Sequence, residues 1–469
     1  MSVRFRPVRR RPSRHGGDRP TRRRRVRGRG ARSGPGASAC RRRRGPTGRR
    51  DRTYHQLSTT RQVKCGAHFR HGPATRRIPS GDVQPCTPGK DILVTVHTGP
   101  RTFGVEEELL LVDPASGAPQ AASGSVIRYA RRHDELFLTG GRRSKSLETE
   151  LQREQLETAT PVCTSLGELS EHVRTARLAA AKSAAGVGVA IAALATSPVS
   201  VRPSPTPSHR YLRMLDAYGP AAGEQLTCGC HVHVGIDSPE EGVAVLDRIR
   251  PWLPPLLALS GNSPFWQGTD TGYDSWRHQV WSRWPSSGPT ELFGSAAAYR
   301  ATVDALLATG ALVDEGMVYF DARLSRHYPT VEVRVPDVCL DADDAVLIAA
   351  FVRALVDTAA RAWRRGEPPA PVRADLMRLA MWRAGRSGLR ADLVHPCTGR
   401  AAPATAVVDA LLDHVAPALD RAGDLGAVTR LLPALLERGN GAHFQRDVHT
   451  RTGDVPAVVA AAADRTVTV

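Results

Sequence analysis

Gly104-Val105-Glu106-Glu107-Glu108-Leu109-Leu110-Leu111-Val112-Asp113 sets three consecutive carboxylates in front of an apolar run. Side chains alternate across a strand, so Glu106 and Glu108 share one face while Glu107 takes the other. Two neighbouring carboxylates on one face repel unless a cation lies between them. Oxygen ligands suit hard cations such as Mg²⁺ or Mn²⁺. An exposed strand with solvated glutamates is the competing reading, because runs of charge usually face water. The choice depends on whether other segments bring matching groups to the same face.

Three segments do so. Cys228-Gly229-Cys230-His231-Val232-His233-Val234 alternates with the period of a half-buried strand and puts His231 and His233 on one face. Hydrogen-bonded strand histidines are the bland reading of that pair. A zinc site made from Cys228, Cys230, His231 and His233 is disfavoured: four such closely spaced residues cannot all converge from one strand, and the usual two-residue gap is missing. Pro329-Thr330-Val331-Glu332-Val333-Arg334-Val335-Pro336-Asp337 alternates in the same way, with Glu332 and Arg334 on the polar face. Taken alone, those two could be a structural ion pair. Glu150 and Glu157 share a face if their segment is helical, but fall on opposite faces of an uninterrupted strand, so a shared site requires a turn or bulge between them. Glu-x-Glu, His-x-His and Glu-x-Arg on three strands, with two more carboxylates from a fourth segment, are unlikely independent accidents. Such a face suits divalent cations and polyphosphate, the acids binding metal and the guanidinium meeting phosphate oxygens.

Around these strands the pattern is helical. Leu166 to Ala185 and Asp341 to Arg365 have amphipathic spacing, and 371–385, 404–422 and 425–438 also read as helices. Ser238-Pro239-Glu240-Glu241 opens another helix with an N-cap, Pro at the first position and a capping glutamate; Pro254-Pro255 is expected to break it. Val187 to Ala195 reads as a buried strand and 197–209 as a loop. Polar-faced strands interleaved with helices predict an α+β fold, not a series of βαβ units. There is no internal repeat and no Gly-rich phosphate loop.

The net charge of +19 invites a nucleic-acid reading, but it comes from one end. Residues 1–95 hold 27 Lys+Arg against 4 Asp, which leaves 38 basic and 42 acidic groups in the remainder. The first 95 residues lack apolar periodicity and are expected to be a disordered Arg-rich extension. A mis-assigned start ahead of about Val94, a non-specific nucleic-acid-binding arm and a targeting segment all remain open for it. All but 4 of the 65 basic residues are Arg, as a genome of high G+C content would produce. The eight cysteines form no disulfide framework, and there is neither a secretory h-region nor a run long enough to span a membrane. A cytoplasmic protein is expected, with its folded body over 96–450 and a C-terminal tail over 451–469.

In order, Gly-Val-Glu-Glu-Glu, Glu150…Gln155-Leu156-Glu157-x-x-Thr160-Pro161, Cys-Gly-Cys-His-Val-His-Val, Leu259-Ser260-Gly261-Asn262-Ser263-Pro264-Phe265-Trp266 and Thr-Val-Glu-Val-Arg-Val-Pro-Asp resemble the bacterial carboxylate-amine ligases called glutamate–cysteine ligase type 2. The resemblance runs from about residue 100 to 440. It implies a glutamine synthetase/guanido kinase-like catalytic fold, in which a curved, mainly antiparallel β-sheet forms a funnel with helices packed outside. It also implies ATP- and Mg²⁺- (or Mn²⁺-) dependent joining of the glutamate γ-carboxyl to the amine of cysteine through an acyl phosphate. On that resemblance Glu108, Glu150 and Glu157 would hold one metal ion, and Glu106, His231 and Glu332 a second, with His233 as an alternate ligand. Arg334, beside Glu332, would face the transferring phosphoryl group. Asn262 and Arg277 would contact nucleotide or substrate. A ligase of the same fold for another acid and amine, and a non-enzymatic metal- or nucleic-acid-binding protein acting through its Arg-rich end, are the alternatives.

Overall fold

The computed structural model of the protein describes residues 99–133, 138–139, 142–143 and 147–468; the extension expected over 1–95, with its boundary near Val94, lies outside them. Phe103–Val112 forms the strand β1, joined in one sheet by Leu147–Thr149 (β2), Gln155–Ala159 (β3), Ala190–Ala192 (β4), Cys230–Gly235 (β5), Ala322–Leu324 (β6) and Thr330–Val333 (β7). The order is β6-β7-β5-β1-β3-β2, with β4 paired to the end of β1. All of these pairings are antiparallel, so the fold is α+β as expected.

One face of the sheet is apolar and buried. Phe103 and Val105 of β1, Val232 and Val234 of β5, and Val331 and Val333 of β7 pack with the helix Ala342–Arg364 in one core. Each such side chain contributes about 1.5–3 kcal/mol by leaving water. Glu107 points into this face and is 2% exposed. It survives there because Arg177, from the helix Leu166–Ala185, meets both of its oxygens at 2.6 and 2.9 Å. Arg177 also donates to the carbonyls of Cys339 and Leu340. A buried pair is tolerated when its remaining donors find acceptors in this way.

Helix boundaries follow the capping chemistry. Ser165 accepts from the Glu168 amide at 3.2 Å and Ser238 from the Glu241 amide at 3.1 Å. The break expected at Pro254-Pro255 falls earlier. The helix Pro239–Ile249 ends in a tight turn at Arg250–Trp252, which contains Pro251, and both later prolines sit in the first turn of the helix Leu253–Ser260. Pro is tolerated in a first turn because its missing N–H has no helical partner there. The strand expected over 187–195 shortens to β4, because the next backbone groups are engaged elsewhere: the Ala193 amide donates to Thr466 Oγ1 and the Ala195 amide to the Asn262 carbonyl.

The tail expected over 451–469 is corrected. Residues Val455–Thr466 form a helix capped by Asp454, with Val458, Val459 and Ala462 buried. Among the described residues no helix is long and apolar enough to cross a membrane.

Candidate active site

The other face of the sheet carries the charge. The register sets Glu106 opposite His231, Glu108 opposite Glu157, His233 opposite Glu332, and Glu332 opposite Arg323. Glu150 follows β2, and the turn between β2 and β3 brings it beside Glu157, which supplies the turn that the spacing required. All of these side chains line one cavity of about 460 Å³. Arg334, Tyr211, Trp281 and Tyr319 line it as well.

Two triples stand out. Glu108, Glu150 and Glu157 place one ligand atom each within 4.8 Å of one another, and so do Glu106, His233 and Glu332. In the second triple it is His233, the alternate ligand of the expected set, that converges with Glu106 and Glu332, while His231 lines the same cavity. His231 Nδ1 lies 3.6 Å from Glu106 Oε2, and His233 Nε2 lies 3.4 Å from Oε1. His233 is oriented by a 3.0 Å contact between its Nδ1 and Thr330 Oγ1, while its buried Nε2 makes no hydrogen bond. The Nε2 of His231 is likewise buried without a hydrogen-bond partner.

The two triples differ electrostatically. Burial, reinforced by the charge of Glu150, pushes the Glu108 carboxyl up to about 7 despite Arg277 and a hydrogen bond from the Gly229 amide. Glu157 is raised well above the usual range by burial and by Glu150. Burial would raise Glu106 too, but the His231 and His233 rings close beside it outweigh burial and hold the group low. Glu332 is likewise held low against burial by Arg334 and Arg323. Burial and the Arg334 charge bring His231 down to about 4, while for His233 the contacts to Glu106 outweigh burial and raise it. In the Glu108 triple burial first, and the neighbouring Glu150 second, thus favour the protonated carboxyls, and a divalent cation would favour their ionised form.

Arginines bound the cavity on the Glu332 side. Arg323 meets Glu332 with two hydrogen bonds, of 2.8 and 3.2 Å. Arg334 donates to the same carboxylate, and its guanidinium lies 5.6 Å from the Trp281 ring centroid and 5.9 Å from that of Tyr319. Its Nε is buried without a partner. Arg323 was not identified from sequence; its signal was the Ala322-Arg323-Leu324 alternation immediately before the Thr-Val-Glu-Val strand. The aromatic wall of Trp281 and Tyr319 had no periodic signal, because these residues come from a short helix and a loop.

Asn262 and Arg277 are not among the residues that line this cavity. Asn262 is fully buried, donates to the carbonyls of Ala193 and Val338 at 2.8 Å each, and accepts from Gln445 at 2.7 Å. Its neighbour Ser263 and the more distant Ser275 both donate to Asp337. The Ser-Gly-Asn-Ser motif is therefore a buried polar knot that ties the chain after β7 to the helices. Arg277 donates to the carbonyls of Arg334 and Val335 at 3.3 and 3.2 Å, holding the backbone of the Arg334 segment. It lies so close to Gly229 that a Cβ there would meet its Nη2 at 2.2 Å, which accounts for the glycine between the two cysteines. Cys228 and Cys230 are buried packing residues.

A family model, glutamate–cysteine ligase family 2, matches residues 102–461. Relatives include "Putative glutamate--cysteine ligase 2" of Streptomyces coelicolor, 54% identical over 78% of this chain and 99% of the relative. "Putative glutamate--cysteine ligase 2-1" of Streptomyces avermitilis is 52% identical over 76% of this chain and 96% of its own length. Among solved structures, a glutamate–cysteine ligase from Francisella tularensis in complex with AMP superposes with a TM-score of 0.56 at 13% identity, covering 79% of this chain and 89% of that one, which is a likeness of fold. On the family match and the identity to these relatives, the chain belongs to glutamate–cysteine ligase family 2.

Proposed function

We propose that this protein is an ATP-dependent carboxylate–amine ligase that joins the γ-carboxyl of L-glutamate to the amine of L-cysteine. The observation that carries this reading is one cavity in which two carboxylate-rich triples face a pair of arginines. A carboxylate is a poor acylating agent and must first become an acyl phosphate, for which ATP supplies the phosphoryl group. Glu108, Glu150 and Glu157 would hold one divalent cation, and Glu106, His233 and Glu332 a second, with His231 supporting Glu106. Bound there, Mg²⁺ or Mn²⁺ would neutralise the polyphosphate. Both triples fit such ions: the donors are mostly oxygen, they converge, and the Glu108 and Glu157 carboxyls are raised by burial and by Glu150, which a divalent cation would oppose.

The chain's own groups then act by position and charge. Arg334, fixed by Glu332 and by the aromatic faces of Trp281 and Tyr319, presents its unpartnered Nε–H to the transferring phosphoryl oxygens. Arg323 shares the charge of Glu332 and leaves Arg334 free to make that contact. The acceptor amine attacks the mixed anhydride carbon, phosphate leaves, and a cavity carboxylate takes the amine's proton. The test is ADP release by the purified chain with ATP, Mg²⁺, glutamate and cysteine. Release that requires all four components, with γ-glutamylcysteine as the product, supports the proposal. Amide formed only with another acid or amine would keep the ligase and replace its substrates. No nucleotide turnover with any pair would overturn it.

A further inference from the structure

A second cavity, of about 150 Å³, has four arginines and a single carboxylate as its charged lining, and it shares no residue with the cavity of the two triples. Arg101 comes two residues ahead of β1. Arg353, Asp357 and Arg361 lie on the helix Ala342–Arg364, and Arg421 lies in the last turn of the helix Ala404–Ala422. Spacings of four put Arg353, Asp357 and Arg361 in one row along their helix. Ala354, Ala418 and Ala422 contribute only methyl groups to the wall, which leaves space between the guanidiniums.

The two inner arginines are fixed by the fold. Arg353 is 1% exposed, donates to Asp424 and to the Thr164 carbonyl, and lies over the Phe103 ring at 4.0 Å. Arg101 is 3% exposed and donates through Nη1 to the Gly235 carbonyl at 2.8 Å and to Glu241 at 2.7 Å. Its Nε is buried with no hydrogen-bond partner among the described residues, because Asp357 Oδ1 stands 3.7 Å away, beyond hydrogen-bond range. The outer two, Arg361 and Arg421, are more than a third exposed and both donate to Asp357 Oδ2, at 2.9 and 2.8 Å. One carboxylate thus answers three guanidiniums. Even with Glu241 set against Arg101 and Asp424 against Arg353, Arg361 and Arg421 share one negative charge. A buried guanidinium N–H without an acceptor is costly, and planar forks match the oxygens of an oxyanion. The space is too small for a nucleotide, since pockets for larger organic ligands run to about 300–1,000 Å³. We propose that Arg101, Arg353, Arg361 and Arg421 bind a small oxyanion of the phosphate class, either inorganic phosphate or the phosphate group of a monoester whose remainder stays in solvent. Because Arg101 also holds the end of β5 through Gly235, an anion there would fasten the start of β1 to the two helices.

Isothermal titration calorimetry of inorganic phosphate into the full chain, in chloride buffer at fixed ionic strength and without nucleotide, reads the affinity. Saturable binding with a Kd of about 1 mM or tighter is expected. Arg361→Ala combined with Arg421→Ala should weaken it by about tenfold or more, with nucleotide turnover unchanged because neither residue lines the other cavity. Asp357→Asn removes the competing carboxylate and keeps every arginine, so it should tighten phosphate by about tenfold, a gain that no loss of folding can imitate. Arg334→Lys, in the other cavity, should leave this binding as it is. Glycerol phosphate titrated in parallel separates the two sources: a monoester that binds more tightly than phosphate names an organic phosphate as the ligand, and equal or weaker binding names phosphate itself. No saturable heat at about 10 mM phosphate, where such a site would be mostly filled, would overturn the proposal. So would binding that Asp357→Asn fails to tighten, or binding lost in Arg334→Lys and kept in the double arginine variant.

Discussion

Arg334→Lys is the substitution on which a phosphoryl-contacting group and a structural ion pair differ most. Alternation on the strand allowed an exposed pair with Glu332, which would contribute only ~0–1 kcal/mol. The structure removes that version, since the Arg334 side chain is 9% and the Glu332 side chain 3% exposed. The pair is buried, and truncating one partner of a buried pair typically costs about 3–5 kcal/mol. Lysine does not leave Glu332 uncompensated, however, because it keeps a positive charge and Arg323 holds the same carboxylate through two hydrogen bonds. What lysine loses is the planar fork and its stacking between Trp281 and Tyr319, a loss of about 0.5–2 kcal/mol. In a protein of this size that lowers Tm by only a few degrees, roughly 2–4 °C per kcal/mol or less.

Turnover should respond much more strongly. A preorganised donor aimed at developing charge contributes about 2.7–4 kcal/mol, so kcat should fall by about 10²–10³. Because the contact would be made in the transition state, kcat and kcat/KM should fall together, with the KM for ATP little changed. ADP-release kinetics beside a thermal melt read both quantities. Turnover within about threefold of the parent would refute the phosphoryl role, since such a change is under 1 kcal/mol in the barrier. A Tm collapse matched by loss of activity would make Arg334 structural.

Three further outcomes follow from the same geometry. Glu108→Gln should abolish Mg²⁺-dependent turnover while raising the Tm of the metal-free protein, because it removes a carboxyl whose charge burial and Glu150 oppose. The Glu108 carboxyl is raised from 4.5 to about 7, so the folded state holds a proton that the unfolded chain releases, and metal-free stability should fall as pH rises through that window. Melts from pH 5 to 8, with and without Mg²⁺, should show a slope that Glu108→Gln reduces; equal slopes in parent and variant would remove Glu108 as its source. Asn262→Ala should lower Tm by several degrees through its lost buried hydrogen bonds yet leave the KM for ATP unchanged, and a KM rise of tenfold without a Tm change would make it a nucleotide contact. Truncation after Thr450 should cost several kcal/mol in a denaturant melt by stripping Val458, Val459 and Ala462 from the core, whereas an unchanged midpoint would make the last helix dispensable.

The sheet and its charged face were legible because strand alternation is strict: Glu106 with Glu108, His231 with His233, and Glu332 with Arg334 had to share faces once the segments were strands. Which strands would lie side by side was not legible from alternation, and pairing partners decide ligand sets. Glu332 lies opposite His233 and Glu106 opposite His231, so the histidine converging with Glu332 is its own register partner. The resemblance had put His231 first, with His233 as the alternate. The last helix was missed although Asp454-Val455-Pro456 is a capping signature, because the Ala-rich stretch after it has a weak apolar stripe.

Residues at the right place in a motif can still serve the fold, and burial with saturated hydrogen bonds tells these from functional ones. Asn262 spends its amide on carbonyls from two segments and on Gln445, which leaves no donor for a ligand. Arg334 is also buried, but it lines the cavity and its Nε has no hydrogen-bond partner. Glu107 makes the same point inside the opening stretch: it is one residue from each of Glu106 and Glu108, yet faces the core and is consumed by Arg177. No local pattern could pair Glu107 with a residue 70 positions away, because that contact exists only after the helix Leu166–Ala185 has packed on the sheet. The three-carboxylate run therefore divides into two side chains for the cavity and one that anchors the strand presenting them.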